Sequence, residues 1–191
     1  MTTSLAPVPA TGLQKLWSTR LWIGETDIGI RPSAVDELAR PAEVAVTEYG
    51  PDLILTDPTD AASTLAAAMQ AASGAPAGRV RLRVQLCRAG YSVGLAYPTG
   101  AWAAWCVLAT AGGSVDADSG MLSLHDPRAG CAAVGVPGLP WGRPITARPA
   151  PGLTVVHPGW LAYSITPVDA GHTILLLSAD IAVGLPETDR R

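Results

Sequence analysis

Lysine is almost absent from this chain: the thirteen basic residues among 191 include a single lysine, Lys15, and the formal net charge is −3. A protein that tracks a phosphate backbone presents clustered basic side chains, so this balance excludes nucleic acid as a partner. Cysteine is scarce as well. Cys87, Cys106 and Cys131 lie far apart and make neither a C-x-x-C pair nor a zinc-ligand spacing, which leaves three reduced thiols as the simplest reading. Cys87 and Cys106 sit in apolar, strand-like runs and read as buried packing; Cys131 follows a glycine in a loop and is the one candidate reactive thiol. No apolar run reaches the length of a membrane span. The segment from Met1 to Pro7 has neither a basic n-region nor an apolar h-region, so the expected location is the cytoplasm, away from membranes.

What is present suits one substantial core: 48% of the residues are apolar and 15% are charged. Residues 1–12, rich in Ala, Pro and Thr, read as a loose arm, and residues 13–191 as a single domain. Leu16 to Ile23 alternates as a strand does. Pro32 to Ala39 predicts a short helix with Ser33 as its N-cap. Asp60 to Ser73, filled with Ala and Leu, predicts a longer one, opened by Asp60 and closed by Gly74 in the left-handed conformation.

From Arg79 onward strands alternate with Gly/Pro turns at intervals that suit a jelly roll. Arg79 to Leu86 has a strict period of two, with Arg79, Arg81, Arg83 and Gln85 on one face. That face is either solvated, or Arg83 and Gln85 point into a cavity and hold an anionic or carbonyl-bearing ligand. Ala101 to Ala109, Met121 to Leu124, Leu153 to His157 and Thr173 to Ile181 read as further strands. Gly135 to Pro151 reads as a long loop over one end of a barrel, carrying Trp141 as a stacking candidate.

Three blocks in this order, Leu95-Ala96-Tyr97-Pro98 followed by Trp102-Ala103-Ala104-Trp105-Cys106-Val107-Leu108, then Ser119-Gly120-Met121-Leu122 ending in Asp126-Pro127-Arg128, and His157-Pro158-Gly159-Trp160-Leu161-Ala162-Tyr163, resemble the strands of a family of 2-oxoglutarate/Fe(II)-dependent oxygenases. The resemblance covers roughly residues 80–181 and implies a double-stranded β-helix, mostly β and cupin-like, with one or two flanking helices. It also implies places for metal ligands, and these hold Leu95, Tyr97 and Tyr163. The position that implies the arginine clamp for 2-oxoglutarate falls near His172 or Thr173, neither of which offers a guanidinium fork. The expectation is therefore a metal-independent enzyme without a cofactor, acting on a small molecule through a redox-neutral step such as cyclisation or isomerisation, as in bacterial natural-product pathways.

On that reading Tyr97 and Tyr163 face one cavity as catalytic phenols or as plugs, with His125 as a third catalytic candidate. Arg83, Gln85, Trp105, Arg128, Trp141 and His157 are the candidate substrate-binding residues, and no metal ligand is assigned. Trp102 and Trp160 read as core. Two alternatives stand beside it: a pseudoenzyme that binds a ligand or partner, and an oxygenase with a relocated iron site in which His125 and His157 converge inside the barrel. A homodimer is common for this fold, and the sequence itself marks no interface.

Overall fold

The computed structural model describes residues 13–16, 19–40, 43–76, 78–113, 116–127 and 143–181. Cys131, Arg128 and Trp141 lie outside these residues, as do the first twelve.

Strand order follows from where the apolar alternation runs. A seven-stranded antiparallel sheet is built from β1 (Leu13–Leu16), β2 (Thr19–Glu25), β3 (Val46–Tyr49), β4 (Val80–Cys87), β6 (Trp102–Ala111), β9 (Leu153–Pro158) and β11 (Thr173–Ile181), in the order β1-β2-β9-β6-β11-β4-β3. A second, four-stranded sheet contains β5 (Val93–Ala96), β7 (Leu122–Leu124), β8 (Ile145–Ala147) and β10 (Tyr163–Ile165), ordered β5-β10-β7-β8. The two sheets pack face to face as a double-stranded β-helix of the jelly-roll kind, as the sequence leads one to expect.

The long β6 and β11 are apolar on both faces because both are covered. One face of the large sheet supports helix α3 (Pro58–Ser73), whose Ala61, Leu65, Ala68, Met69 and Ala72 are buried at helical spacing and pack with Ala104, Cys106, Leu175 and Leu177. The opposite parity, Trp105 and Val107 on β6 with Ile174 and Leu176 on β11, faces the small sheet.

Helix α3 begins earlier than the sequence reading had it. Pro58 presets the first helical φ, and Asp57 rather than Asp60 is the cap, its Oδ1 accepting from the backbone N–H of Thr59 at 2.8 Å and of Asp60 at 3.0 Å. Gly74 ends it as expected, at φ 75°. The left-handed backbone holds glycine there; the Arg20 guanidinium, 2.8 Å from where a Cβ would stand, is the end of a flexible side chain and can move aside.

Other boundaries shift too. Leu16 to Ile23 is not one strand but the end of β1 and most of β2. Helix α1 (Pro32–Ala39) matches its expected span, although Arg31, not Ser33, occupies the N-cap and no side chain caps it. The expected loop from Gly135 to Pro151 contains β8. Strand β3 and the single-turn helix α2 (Pro51–Ile54) had no clear sequence signal. No helix among the described residues is long and apolar enough to cross a membrane.

Candidate functional site: the polar mouth of the barrel

Strand register lines up two rows of side chains on the inner face of the large sheet. Arg81 on β4 pairs with Asp180 on β11, which pairs with Ala103 on β6, which pairs with His157 on β9. One step deeper stand Arg83, Ser178, Trp105 and Val155. The next step is apolar at its centre, Leu176 beside Val107. Polarity thus falls along the barrel axis, from a charged rim to an apolar interior. Cross-strand neighbours on one face sit close enough to interact, so these rows define the site.

Ala103 is the small residue of the outer row, and a cavity of about 310 Å³ opens around it. Arg81, Arg83, Tyr97, Thr99, Trp105, Tyr163, Ser178 and Asp180 all border it, so the structure brings together both tyrosines and one of the two polar candidates from β4. Tyr163 reaches in from β10 and is half-buried. Tyr97, just beyond β5, is 63% exposed and forms the rim rather than an inner wall.

Charges at the mouth are not all available. Arg81 donates from Nε at 2.9 Å and from Nη2 at 2.6 Å to the same Asp180 oxygen, Oδ1. That pair cancels Arg81 and leaves Oδ2 of Asp180 as the carboxylate oxygen that Arg81 does not engage. Among the described residues no carboxylate pairs with the Arg83 guanidinium, which is the uncompensated cation of the cavity. Burial raises the Tyr163 phenol above its usual range, and Arg83 nearby partly offsets this by favouring the phenolate.

The floor is a three-ring cluster. Trp105 and Tyr163 pack with centroids 4.8 Å apart and planes tilted by 54°, and His157 lies 6.2 Å from Tyr163. The Trp105 indole N–H donates to His157 Nε2 at 3.1 Å. Indole has no acceptor, so Nε2 carries no proton and the Nδ1–H must donate to the Pro158 carbonyl at 3.0 Å. Burial presses the His157 pKa down to about 4, with the Pro158 carbonyl resisting slightly. Both ring nitrogens are therefore occupied, and His157 is a positioning residue for Trp105 rather than a wall of the cavity.

Below that floor runs a narrow apolar slot of about 30 Å³ between the sheets, lined by Val107, Leu122, Val155, Ile165, Ile174 and Leu176 among others. Trp105 borders both spaces.

Several expected site residues stand elsewhere. Gln85 donates to Glu48 on β3 at 3.0 Å and does not border the cavity. His125 bonds Ser164 at 2.8 Å, and Ser164 points away from the barrel because its neighbour Tyr163 points in. His125 and His157 consequently lie on different faces and do not converge. Trp102 turns toward the helix side, and Trp160 is 53% exposed rather than core. His172 is buried, with Nδ1 2.8 Å from the Ser119 hydroxyl. Asp180 is the cavity residue that the sequence pattern alone did not single out. As the only charged group in the apolar run of β11, on the same parity as Ser178, it carried a signal.

A facial iron site needs three converging donors. Among the described residues no three His, Cys, Asp or Glu side chains come together, and Leu95, in one of the matched places, is 66% exposed. The described residues do not fit an Fe(II)/2-oxoglutarate centre.

No protein-family model matches the sequence, and no curated protein matches it either. Solved structures do share the fold. A prolyl-4-hydroxylase from Pseudomonas putida is similar over 80% of this chain and 80% of its own, with a TM-score of 0.51 and 17% identity. The non-heme alpha-ketoglutarate-dependent epimerase SnoN from nogalamycin biosynthesis is similar over 77% of this chain and 68% of its own, with a TM-score of 0.51 and 18% identity. At these identities the likeness is one of fold.

Proposed function

We propose that this chain is a metal-independent enzyme on an oxygenase-like scaffold, carrying out a redox-neutral isomerisation or cyclisation of a small anionic molecule at the barrel mouth. The observation that carries the reading is the cavity itself: an unpaired guanidinium, a half-buried phenol and a half-engaged carboxylate border one space. Arg83 anchors the ligand's anionic group. The Tyr163 O–H donates to a ligand carbonyl and strengthens as negative charge develops there. Oδ2 of Asp180 takes a proton from the carbon next to that carbonyl, and the electron pair moves into the enolate held by Tyr163. The same carboxyl returns the proton to a different carbon or face, so no electrons leave the ligand and no co-reactant is consumed. Positioning the ligand between these groups lowers the barrier further.

A non-catalytic binding role is the second reading. It is favoured by the Trp105–Tyr163–His157 cluster, which fills the centre of the barrel.

The deciding experiment is elemental analysis after anaerobic incubation with Fe(II) and 2-oxoglutarate and removal of the excess. The expected result is no stoichiometric iron. About one tightly held iron per chain, lost in His125→Ala or His157→Ala, would overturn the proposal in favour of an oxygenase with an unusual site.

A further inference from the structure

We infer that the ligand of the mouth cavity is a planar, conjugated monocarboxylic acid, such as an aryl or enone acid; this rests on the functional reading above and narrows its substrate class. Charge sets the first limit. With Arg81 spent on Asp180, the described side chains offer one uncompensated cation, Arg83, which matches one carboxylate in the two-pronged geometry a guanidinium favours. A second carboxylate on the same ligand would find the Asp180 carboxylate and no further free cation among the described residues. An amine would meet Arg83.

Shape sets the second limit. About 310 Å³ lies at the small end of ligand pockets, which suits a ligand of one ring. Beyond Arg83 the apolar lining combines the rings of Tyr97, Tyr163, Trp105 and Pro98 with Leu82 and small alanines, Ala103 among them. Rings and conjugated chains stack on such surfaces at little conformational cost. Depth sets the third. The Trp105 ring, tied to His157, borders both spaces, and the apolar slot behind it, at about 30 Å³, has no room for a long alkyl tail. The hydroxyls of Tyr163 and Thr99 remain to read a carbonyl or hydroxyl on the ring, while that of Ser178 donates to the Arg83 carbonyl at 3.4 Å.

The test is titration calorimetry with benzoate, benzamide, benzylamine and glutarate, on the wild-type chain and on Arg83→Gln. The expected result is that benzoate binds best and loses about tenfold or more in Arg83→Gln, with benzamide already weaker by a similar factor. Benzamide equal to benzoate, glutarate equal to or tighter than benzoate, an unchanged benzoate affinity in Arg83→Gln, or no binding by any probe would each overturn the ligand class. Tryptophan fluorescence with Trp105→Phe as control separates binding at this mouth from binding elsewhere; an unaltered benzoate affinity and signal in that variant would also count against the inference. Iron retention reads the functional proposal independently, so failure of one is distinguishable from failure of the other.

Discussion

Trp105 and His157 are 52 residues apart in the chain, yet a single 3.1 Å hydrogen bond between them fixes both the tautomer of the imidazole and the pose of the indole. This pair makes stability depend on pH. The folded pKa of His157, about 4, lies below its ordinary value of 6.5, so the unfolded chain binds the proton more readily. Stability from this group is complete above about pH 6.5 and falls as the pH drops toward 4, by about 3 kcal/mol in all. Urea unfolding of the wild type and of His157→Gln across this range checks it: the variant should lose most of the slope, and an equal slope in both would refute the assignment.

Replacing Asp180 by Asn releases Arg81 and gives the mouth a second free cation. Because the pair is exposed, stability should change by less than about 1 kcal/mol. Selectivity should change much more: glutarate is expected to gain about tenfold or more relative to benzoate in calorimetry. Unchanged relative affinities would show that the Arg81–Asp180 pair does not control the cavity's charge.

The thiols of Cys87 and Cys106 should be silent in the native protein. Burial pushes the Cys87 thiol up to about 12 and raises that of Cys106 as well. With three cysteines in the chain, Ellman's reagent at pH 8 should titrate at most one per native molecule and all three after denaturation. Reaction of two or three in the native state would contradict the burial.

Gly159→Ala should be among the costlier single substitutions. An added Cβ would stand 1.8 Å from the Gly100 carbonyl oxygen, where the β9–β10 turn crosses the loop before β6. A loss of about 3 kcal/mol is expected, against less than about 0.5 kcal/mol for Gly94→Ala, whose Cβ meets nothing within 4 Å. Thermal or urea unfolding of both variants measures the contrast.

The barrel was legible wherever alternation was strict. Arg81, Arg83 and the apolar set between them could be assigned to opposite faces from the sequence of β4 alone, and the fold followed from the turn spacing and the oxygenase-like blocks. What the pattern could not carry was registry between strands. Nothing local says that Ala103 pairs with His157 or that Asp180 pairs with Arg81, and those pairings decide which charges are spent and which ring nitrogens are free. For the same reason His125 looked like a partner for His157, although a one-residue parity step sends it to the far side of the small sheet. Gln85 shared the parity of Arg83 but sits nearer the edge strand β3, where Glu48 captures it. The helix cap was misplaced because Asp57 and Asp60 are equally good capping residues; the proline after Asp57 was the deciding mark.

The indole of Trp105 is the partition between two compartments of unlike character. A boundary made of one side chain is a single point of control: trimming it would enlarge the mouth toward the slot, and would also take from Tyr163 its ring partner and from His157 its hydrogen bond. The size of one residue thus sets how much of the space between the two sheets the mouth can share.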